Sequence, residues 1–196
     1  MFCIAHKPRS GKSITILSIC VSLLESGKKR ILIMTSVPAT IKSFTDDLDK
    51  YINFRNIKYK TQDAFDTIDD NFEGVVFCST QFLKTKSKIT DKKELVRMLD
   101  FSVVITDESH FGSSTDKTKT DIIDGDIVDS IMKNKITIFA SGTPDKTKKF
   151  YGIKSSYVYE WETTDESYMK KLFIEPTNQF AIDYMSNRHG PLQKPY

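Results

Sequence analysis

Long hydrophobic runs are missing from this 196-residue sequence. The longest near-apolar stretch, from Ile14 to Leu24, is interrupted by Thr15, Ser18 and Ser22 and is far shorter than the roughly 20 residues that span a bilayer. The first residues also lack the order of basic, apolar and small-residue regions that defines a signal peptide. We therefore expect an intracellular protein, in the cytoplasm or nucleus, that is not secreted and has no membrane partner.

Cysteine and net charge are also scarce. Cys3, Cys20 and Cys78 are odd in number, widely spaced and set in apolar runs, which favours reduced core thiols over disulfides or a zinc site. The 29 Lys+Arg against 26 Asp+Glu give a net charge of +3, which is too small to require a nucleic-acid partner but leaves room for a local basic face. With 39% hydrophobic and 28% charged residues, the composition is that of a soluble globular domain.

What the sequence does contain is a set of short apolar runs that are continuous rather than alternating. They lie at Phe2–Ala5, Ile31–Met34, Val75–Cys78, Val103–Ile105 and Ile136–Ala140. Continuous runs are typical of strands buried on both faces of a parallel sheet. Helical patterns lie between them, at Lys12–Ser26, Asp91–Leu99 and Asp121–Met132. The alternation predicts an α/β fold with a mostly parallel central sheet and helices on both faces.

The segment from His6 to Ser13, HKPRSGKS, follows the first predicted strand and opens the first predicted helix. This is the context of a phosphate-binding loop, in which backbone N–H groups hold the phosphates and Gly11 lets the chain approach them closely. The Lys12 ammonium would reach the terminal phosphates, and the Ser13 hydroxyl would take a magnesium ligand position. His6 stands where the pattern normally has a glycine, and an ordinary turn between strand and helix is the alternative.

Two adjacent carboxylates, Asp107 and Glu108, follow the predicted strand Val103–Ile105. Ligands of open α/β sheets bind at the carboxyl ends of the strands, so this is where a magnesium ligand and a general base would be useful. Asp107 can hold the metal, and Glu108 can accept a proton from the water that attacks the γ-phosphate. A solvated acidic turn is the alternative for such a pair taken alone.

A third polar segment, Ser141-Gly142-Thr143, follows the strand predicted at Ile136–Ala140. Its hydroxyls would lie at the same sheet edge as the carboxylates, where they can hydrogen-bond His110 or Glu108 and sense the γ-phosphate. A turn with a helix N-cap is the alternative.

Taken together and in this order, Gly-Lys-Ser, Asp-Glu-Ser-His and Ser-Gly-Thr resemble motifs I, II and III of superfamily 2 helicases and translocases. The sequence is most similar to the restriction-enzyme-like and viral or phage members, so a viral replication site is a further possible location. The resemblance covers Phe2 to about Trp161 and implies a P-loop NTPase domain of the RecA-like type with ATP as substrate and Mg²⁺ as cofactor.

The resemblance also implies roles residue by residue. The nucleotide-binding residues would be Pro8, Arg9, Ser10, Gly11, Lys12 and Ser13; the metal ligands Ser13 and Asp107; the catalytic residues Glu108, Lys12 and His110; and the residues that couple hydrolysis to movement Ser141, Thr143 and His110. Thr35, Ser36, Ser79 and Thr80 occupy the places of strand-end motifs that hold a nucleic-acid backbone in the family. Plain turn and helix-cap roles are the alternative for these four hydroxyls.

We predict that residues 1–161 form a RecA-like ATP-binding domain and that residues 162–196 begin a second domain. The expected function is the ATP-binding half of a nucleic-acid-dependent ATPase, a helicase or translocase, acting on the backbone of DNA or RNA, with DNA slightly favoured. It would need a second RecA-like domain, in cis or in trans, and would be inactive or weakly active alone. The alternative is a truncated, non-catalytic module that binds nucleotide or nucleic acid. A small-molecule kinase is less favoured, because we find no arginine-rich lid.

Overall fold

The computed structural model describes residues 1–6, 11–84, 100–107, 131–142, 144–161 and 164–165. The chain divides into two compact units, Met1–Tyr159 and Glu160–Tyr196. The predicted helix Asp91–Leu99 and most of the predicted helix Asp121–Met132 lie outside the described residues. Within the described part of the chain, no helix is both long enough and apolar enough to cross a membrane.

Seven strands within the described residues form one sheet. Its strands are β1 (Phe2–His6), β2 (Arg30–Thr35), β3 (Tyr59–Thr61), β4 (Gly74–Ser79), β5 (Val103–Asp107), β6 (Ile136–Ser141) and β7 (Val158–Trp161). They are ordered β3-β4-β2-β5-β6-β1-β7 across the sheet. The five pairs from β3 to β1 are all parallel. The predicted mostly parallel α/β sheet is therefore confirmed.

The five strands expected from the sequence all form, and each continues one or two residues beyond its apolar run. Every residue of β2, β4 and β5 is buried, as continuous apolar runs predict for strands covered on both faces. The strands β3 and β7 were not predicted. They are only three and four residues long, contain no fully buried residue and lie at the two edges of the sheet, so neither carries the apolar pattern of a buried strand.

Among the described residues, the α-helices with defined bounds are α1 (Lys12–Glu25), α2 (Pro38–Lys50), α3 (Thr80–Lys84) and α4 (Pro144–Tyr151). Single turns of 3-10 helix occupy Ile52–Phe54 and Ser155–Tyr157, and a longer 3-10 segment occupies Gln62–Thr67. The predicted first helix is confirmed within one residue. It ends before Gly27, whose φ of 87° is the left-handed conformation that glycine adopts without steric cost.

Two hydrophobic layers sandwich the sheet. In one layer, α1 and α2 pack against every second residue of the strands. Leu17, Phe44 and Ile105 are fully buried there. The other layer contains Leu83, Phe101 and Phe139 on the opposite face. The aromatic ring of Phe139 stacks on that of Tyr151, with centroids 4.3 Å apart, which fixes the end of α4 against β6. Both faces of the sheet are thus covered by apolar residues. Polar side chains are therefore found at the ends of the strands.

The three cysteines all lie in these layers and are buried, as their apolar surroundings predicted. Cys20, on the buried side of α1, shows the effect on chemistry: burial raises the pKa of its thiol to about 12. The thiolate is therefore suppressed at neutral pH, and Cys20 acts as a small apolar packing residue.

Candidate functional site

The Gly-Lys-Ser segment lies where β1 ends and α1 begins. β1 ends at His6, α1 begins at Lys12, and residues 7–10, which include the predicted ligands Pro8, Arg9 and Ser10, lie outside the described residues. Gly11 precedes the helix with φ 84°, a left-handed conformation that side chains other than glycine rarely adopt. Since the first N–H groups of an α-helix have no partner within the helix and Gly11 offers no capping side chain, this terminus is of the kind that binds phosphate.

The side chain of Lys12 meets Asp107 from the end of β5. Its ammonium Nζ lies 2.8 Å from the Asp107 carboxylate Oδ1, and the two side chains are 16% and 4% exposed. A carboxylate this deeply buried would be costly without a compensating positive charge, so the pair explains how Asp107 is tolerated inside the protein. The fold therefore brings together two residues that the sequence had assigned to one phosphate and metal site.

β6 lies between the strand that leads to Lys12 and the strand that ends in Asp107. In register, Asp107 is opposite Ala140, and the next residue of β6, Ser141, is opposite Ala5 of β1. Ser141 is fully buried at this shared edge. The structure thus places Ser141 between the two halves of the candidate site, whereas Glu108, His110 and Thr143 lie outside the described residues.

The donor chemistry of this site fits magnesium. Asp107 supplies carboxylate oxygens, and Ser13, half-buried at the second position of α1, supplies a hydroxyl oxygen. Mg²⁺ prefers oxygen ligands and is normally held by one or two protein groups together with substrate phosphates and water. Among the described residues there is no cluster of three or more His, Cys, Asp or Glu side chains that could hold a metal without such help.

The hydroxyls predicted to contact nucleic acid lie at the ends of the neighbouring strands β2 and β4, where Thr35 is in register with Ser79. The Thr35 hydroxyl donates to the Val37 carbonyl at 3.0 Å, and the Thr80 hydroxyl donates to the Ser36 carbonyl at 3.2 Å. The backbone N–H of Gln81 donates to the same carbonyl at 3.3 Å. These bonds tie the loop after β2 to the loop after β4.

Gln62 adds a second connection, which the sequence did not reveal. Its side-chain Oε1 accepts hydrogen bonds from both the N–H and the hydroxyl of Ser79, each at 2.9 Å. The Ser79 hydroxyl in turn accepts from the N–H of Phe82 at 3.1 Å and so caps α3. No local motif marks Gln62, because its partner is far away in the sequence and the contact depends on how β3 and β4 pair.

The structure therefore gives the Thr35 hydroxyl a bond within its own turn and the Ser79 hydroxyl a helix-cap role, which were the alternative, and it gives the Thr80 hydroxyl a bond to the neighbouring loop. All three side chains are buried, whereas Ser36 is half-buried and Val37 is exposed. Contact of this region with a nucleic-acid backbone stays a prediction, and the groups available for it are Ser36 and the backbone of the two connected loops.

A further feature at the end of β1 was missed by the sequence analysis. His6 is 5% exposed, and its ring centroid lies 6.1 Å from that of Tyr159 on β7, with a 34° angle between the ring planes. Tyr159 itself is 55% exposed. The hydrophobicity pattern of the sequence could not reveal this contact between His6 and Tyr159, because β7 is a short edge strand that mixes polar and apolar residues.

Comparison with known proteins decides the family. The profile of the family described as "Type III restriction enzyme, res subunit" matches residues 1–146. The chain belongs to this family. Membership confirms the resemblance to superfamily 2 and identifies the first unit as a RecA-like domain of that type.

A curated relative of this res-subunit family member comes from Mycoplasma pneumoniae and is assigned as the C-terminus of a type II restriction enzyme and methyltransferase. It is 32% identical over 126 residues, which cover 58% of this chain and 17% of that protein. The chain therefore spans about a sixth of the length of this relative.

Two solved structures share the fold. One is the SWI2/SNF2 ATPase core of Sulfolobus solfataricus, determined in complex with dsDNA. Its TM-score with this protein is 0.57 at 13% identity, and the match spans 95% of this chain and 38% of the SWI2/SNF2 chain. The other is the UvsW helicase of bacteriophage T4. Its TM-score is 0.53 at 15% identity, and the match spans 82% of this chain and 54% of the UvsW chain. At these identities the likeness establishes the architecture, which is that of helicase and ATPase cores.

Proposed function

We propose that this res-subunit family member is the ATP-binding half of a nucleic-acid-dependent ATPase that couples hydrolysis to translocation along, or unwinding of, a duplex. The observation that carries the proposal is the 2.8 Å contact between the Lys12 ammonium and the Asp107 carboxylate. These residues come from two different motifs, and one mechanism requires both of them at the terminal phosphates.

In the proposed site, Lys12 exchanges its contact with Asp107 for one with the terminal phosphates, and the N–H groups at the start of α1 hold the remaining phosphate oxygens. Asp107 and Ser13 would hold Mg²⁺, which neutralises the charge of the phosphates when it is bound. Binding of Mg-ATP would therefore replace the ion pair between Lys12 and Asp107 by two new contacts, Lys12 with phosphate and Asp107 with Mg²⁺. The negative charge of the buried Asp107 stays compensated in both states.

Hydrolysis would use Glu108, the residue after Asp107 in the sequence, as the general base. Its carboxylate accepts the proton of a water molecule as that water attacks the γ-phosphorus, the bond to the β,γ-bridging oxygen breaks, and ADP and phosphate leave. Ser141, buried at the end of β6 between β1 and β5, would respond to the presence of the γ-phosphate and, with His110 and Thr143, would pass that response on.

The proposed partner is the backbone of DNA, with RNA as the alternative. The family is named for restriction enzymes, and the archaeal SWI2/SNF2 core was solved with double-stranded DNA. Ser36 and the connected loops after β2 and β4 would contact the phosphates, which hydroxyls and backbone N–H groups can do without reading bases. A second RecA-like domain, in cis or in trans, would complete the motor, and its closing against this one would move the strand. We propose an intracellular location for this work.

The first test is calorimetric titration of Mg-ATP into this chain and its Lys12→Ala variant. We expect saturable binding that the substitution weakens at least about tenfold, because the variant loses a charge-assisted contact to phosphate. Lys42→Ala is the matched control: Lys42 is an exposed lysine that pairs with Asp46 within α2, so it carries the same charge change away from the site. Equal affinities for the wild type and Lys12→Ala would contradict the site.

Glu108→Gln separates binding from chemistry at the same site. In a protein that also contains the second RecA-like domain, we expect it to bind Mg-ATP as the wild type does and to lose the phosphate release that DNA stimulates, because glutamine cannot accept the proton. Unchanged release would contradict the role of Glu108. A wild-type protein that contains both domains and binds Mg-ATP but releases no phosphate with DNA would favour the alternative function, a non-catalytic nucleotide-binding module.

A further inference from the structure

The ion pair between Lys12 and Asp107 sets a direction for any nucleotide bound at the start of α1. This step rests on the proposed function, in which the terminal phosphates and the metal lie at that pair. Asp107 ends β5, which lies on one side of β1 with β6 between them. The other neighbour of β1 is β7. A nucleoside triphosphate with its terminal phosphate at Asp107 and its inner phosphates at the start of α1, which follows β1, would extend its sugar and base toward β7.

β7 carries Tyr159, an aromatic residue whose ring contacts the last residue of β1. It lies beside His6, the last residue of β1 and thus the residue from which the phosphate loop departs. His6 is 5% exposed and its ring lies beside that of Tyr159, which is 55% exposed. From β5 to β7 there are three strand spacings, about 14 Å in all. That distance is comparable with the length of an extended nucleoside triphosphate.

We propose that Tyr159 is the platform on which the base of the bound nucleotide stacks, which makes it a specificity-determining residue of the site. Every nucleobase has a π-face that can stack on an aromatic ring, and a single stack changes affinity by about tenfold or more. Stacking uses the face of the base and not its hydrogen-bonding edge. The platform therefore distinguishes a nucleotide from a bare polyphosphate and accepts ATP and GTP alike.

The test compares Mg-ATP with magnesium tripolyphosphate, which has three phosphates but no base, by calorimetric titration of the full chain. Tyr159→Ala is expected to weaken Mg-ATP about tenfold and to leave tripolyphosphate affinity unchanged. Tyr159→Phe keeps the ring and is expected to retain the wild-type affinity for both ligands. The matched control is Tyr157→Ala, since Tyr157 is equally exposed but contacts Phe2 at the opposite end of β1.

Each outcome bears on a separate claim. If the wild type binds Mg-ATP and Tyr159→Ala binds it equally well, the platform is wrong while the proposed function stands. A Tyr159→Ala variant that loses both ligands to the same extent would make Tyr159 a support of the phosphate loop, which also overturns the proposal. If the wild type binds neither ligand, the proposed function itself fails. A thermal melt of each variant identifies any that fails to fold. If Tyr159→Ala fails to fold, Tyr159→Leu takes its place, because leucine keeps an apolar side chain but has no ring. Equal Mg-ATP affinities of Tyr159→Leu and the wild type would then overturn the proposal.

Discussion

The side chain of Arg30 shows how a charged residue can serve the fold from inside the protein. It is buried at the start of β2, where its Nε donates to the carbonyl of Phe72 at 2.9 Å. One terminal nitrogen donates to the carbonyls of Asp69 at 3.0 Å and of Asp70. The rigid donor fork of arginine thus holds the loop that leads into β4, and the carbonyls compensate for the loss of solvation. This arginine is structural, and no motif in the sequence distinguished it from a functional one.

Gly74, at the end of that loop, is a position that tolerates no side chain. Its φ is 156°, and a Cβ built there would clash with the Lys58 carbonyl, 2.9 Å from the carbonyl carbon and closer still to the oxygen. We expect Gly74→Ala to destabilise the chain by about 3 kcal/mol, since backbone strain and steric overlap add. The measurement is the urea unfolding midpoint, with the slope of the transition checked for two-state behaviour.

Gly152→Ala is the control for this prediction. Gly152 also has a positive φ, 64°, but an added Cβ would meet no atom within 4 Å. Only the conformational cost remains, about 1 kcal/mol. If the two variants lose the same stability, the close approach of Gly74 to Lys58 is not what requires glycine.

Among the helices and strands, the short edge strand β3 pairs with β4 and leads directly into a buried polar contact at the functional edge. The 3-10 segment Gln62–Thr67 follows β3 directly and brings Gln62 to Ser79 at the end of β4. The same serine caps α3, so one buried glutamine oxygen organises the end of one strand and the start of one helix. The loop after β4 is thus held by Gln62, and its bonds from Thr80 and Gln81 to the Ser36 carbonyl tie it to the loop after β2.

Gln62→Leu should therefore destabilise the chain by about 1 to 3 kcal/mol, because it leaves the buried N–H and hydroxyl of Ser79 without their acceptor. Thermal and urea unfolding measure this loss. Gln62→Glu retains two acceptor oxygens and is expected to recover part of it. The control is Gln81→Leu, which makes the same change at an exposed position of α3. Equal losses for Gln62→Leu and Gln81→Leu would contradict the assigned role of Gln62.

At the level of the whole chain, the division into Met1–Tyr159 and Glu160–Tyr196 leads to a prediction about truncation. Every described residue of the candidate nucleotide site lies in the first unit, and β7 ends at Trp161. A chain that stops after Trp161 is therefore expected to fold and to bind Mg-ATP with the affinity of residues 1–196. Calorimetry and a thermal melt test this expectation. A truncated chain that melts cooperatively but no longer binds would show that the site extends beyond residue 161.

Much of the fold could be predicted because its signals are local. Val103–Asp107 illustrates this: a continuous apolar run indicates a strand buried on both faces, and the carboxylate that ends it marks the sheet edge where ligands bind. Lys12 and Ser13 were recognised for the same reason, since glycine, lysine and serine between a strand and a helix have a local physical meaning. Edge strands such as β3 carry no such pattern, because their residues are only partly buried.

Local sequence was thus enough to determine the α/β class, the buried strands, the first helix and the polar residues at strand ends, since burial pattern and strand-end chemistry are written in neighbouring residues. Only the tertiary structure decided that β6 lies between β1 and β5, that Lys12 reaches Asp107, that Gln62 holds Ser79, and that Tyr159 lies beside His6. These contacts join residues far apart in the chain. Their formation depends on the order in which strands pair, and that order leaves no mark on any single segment.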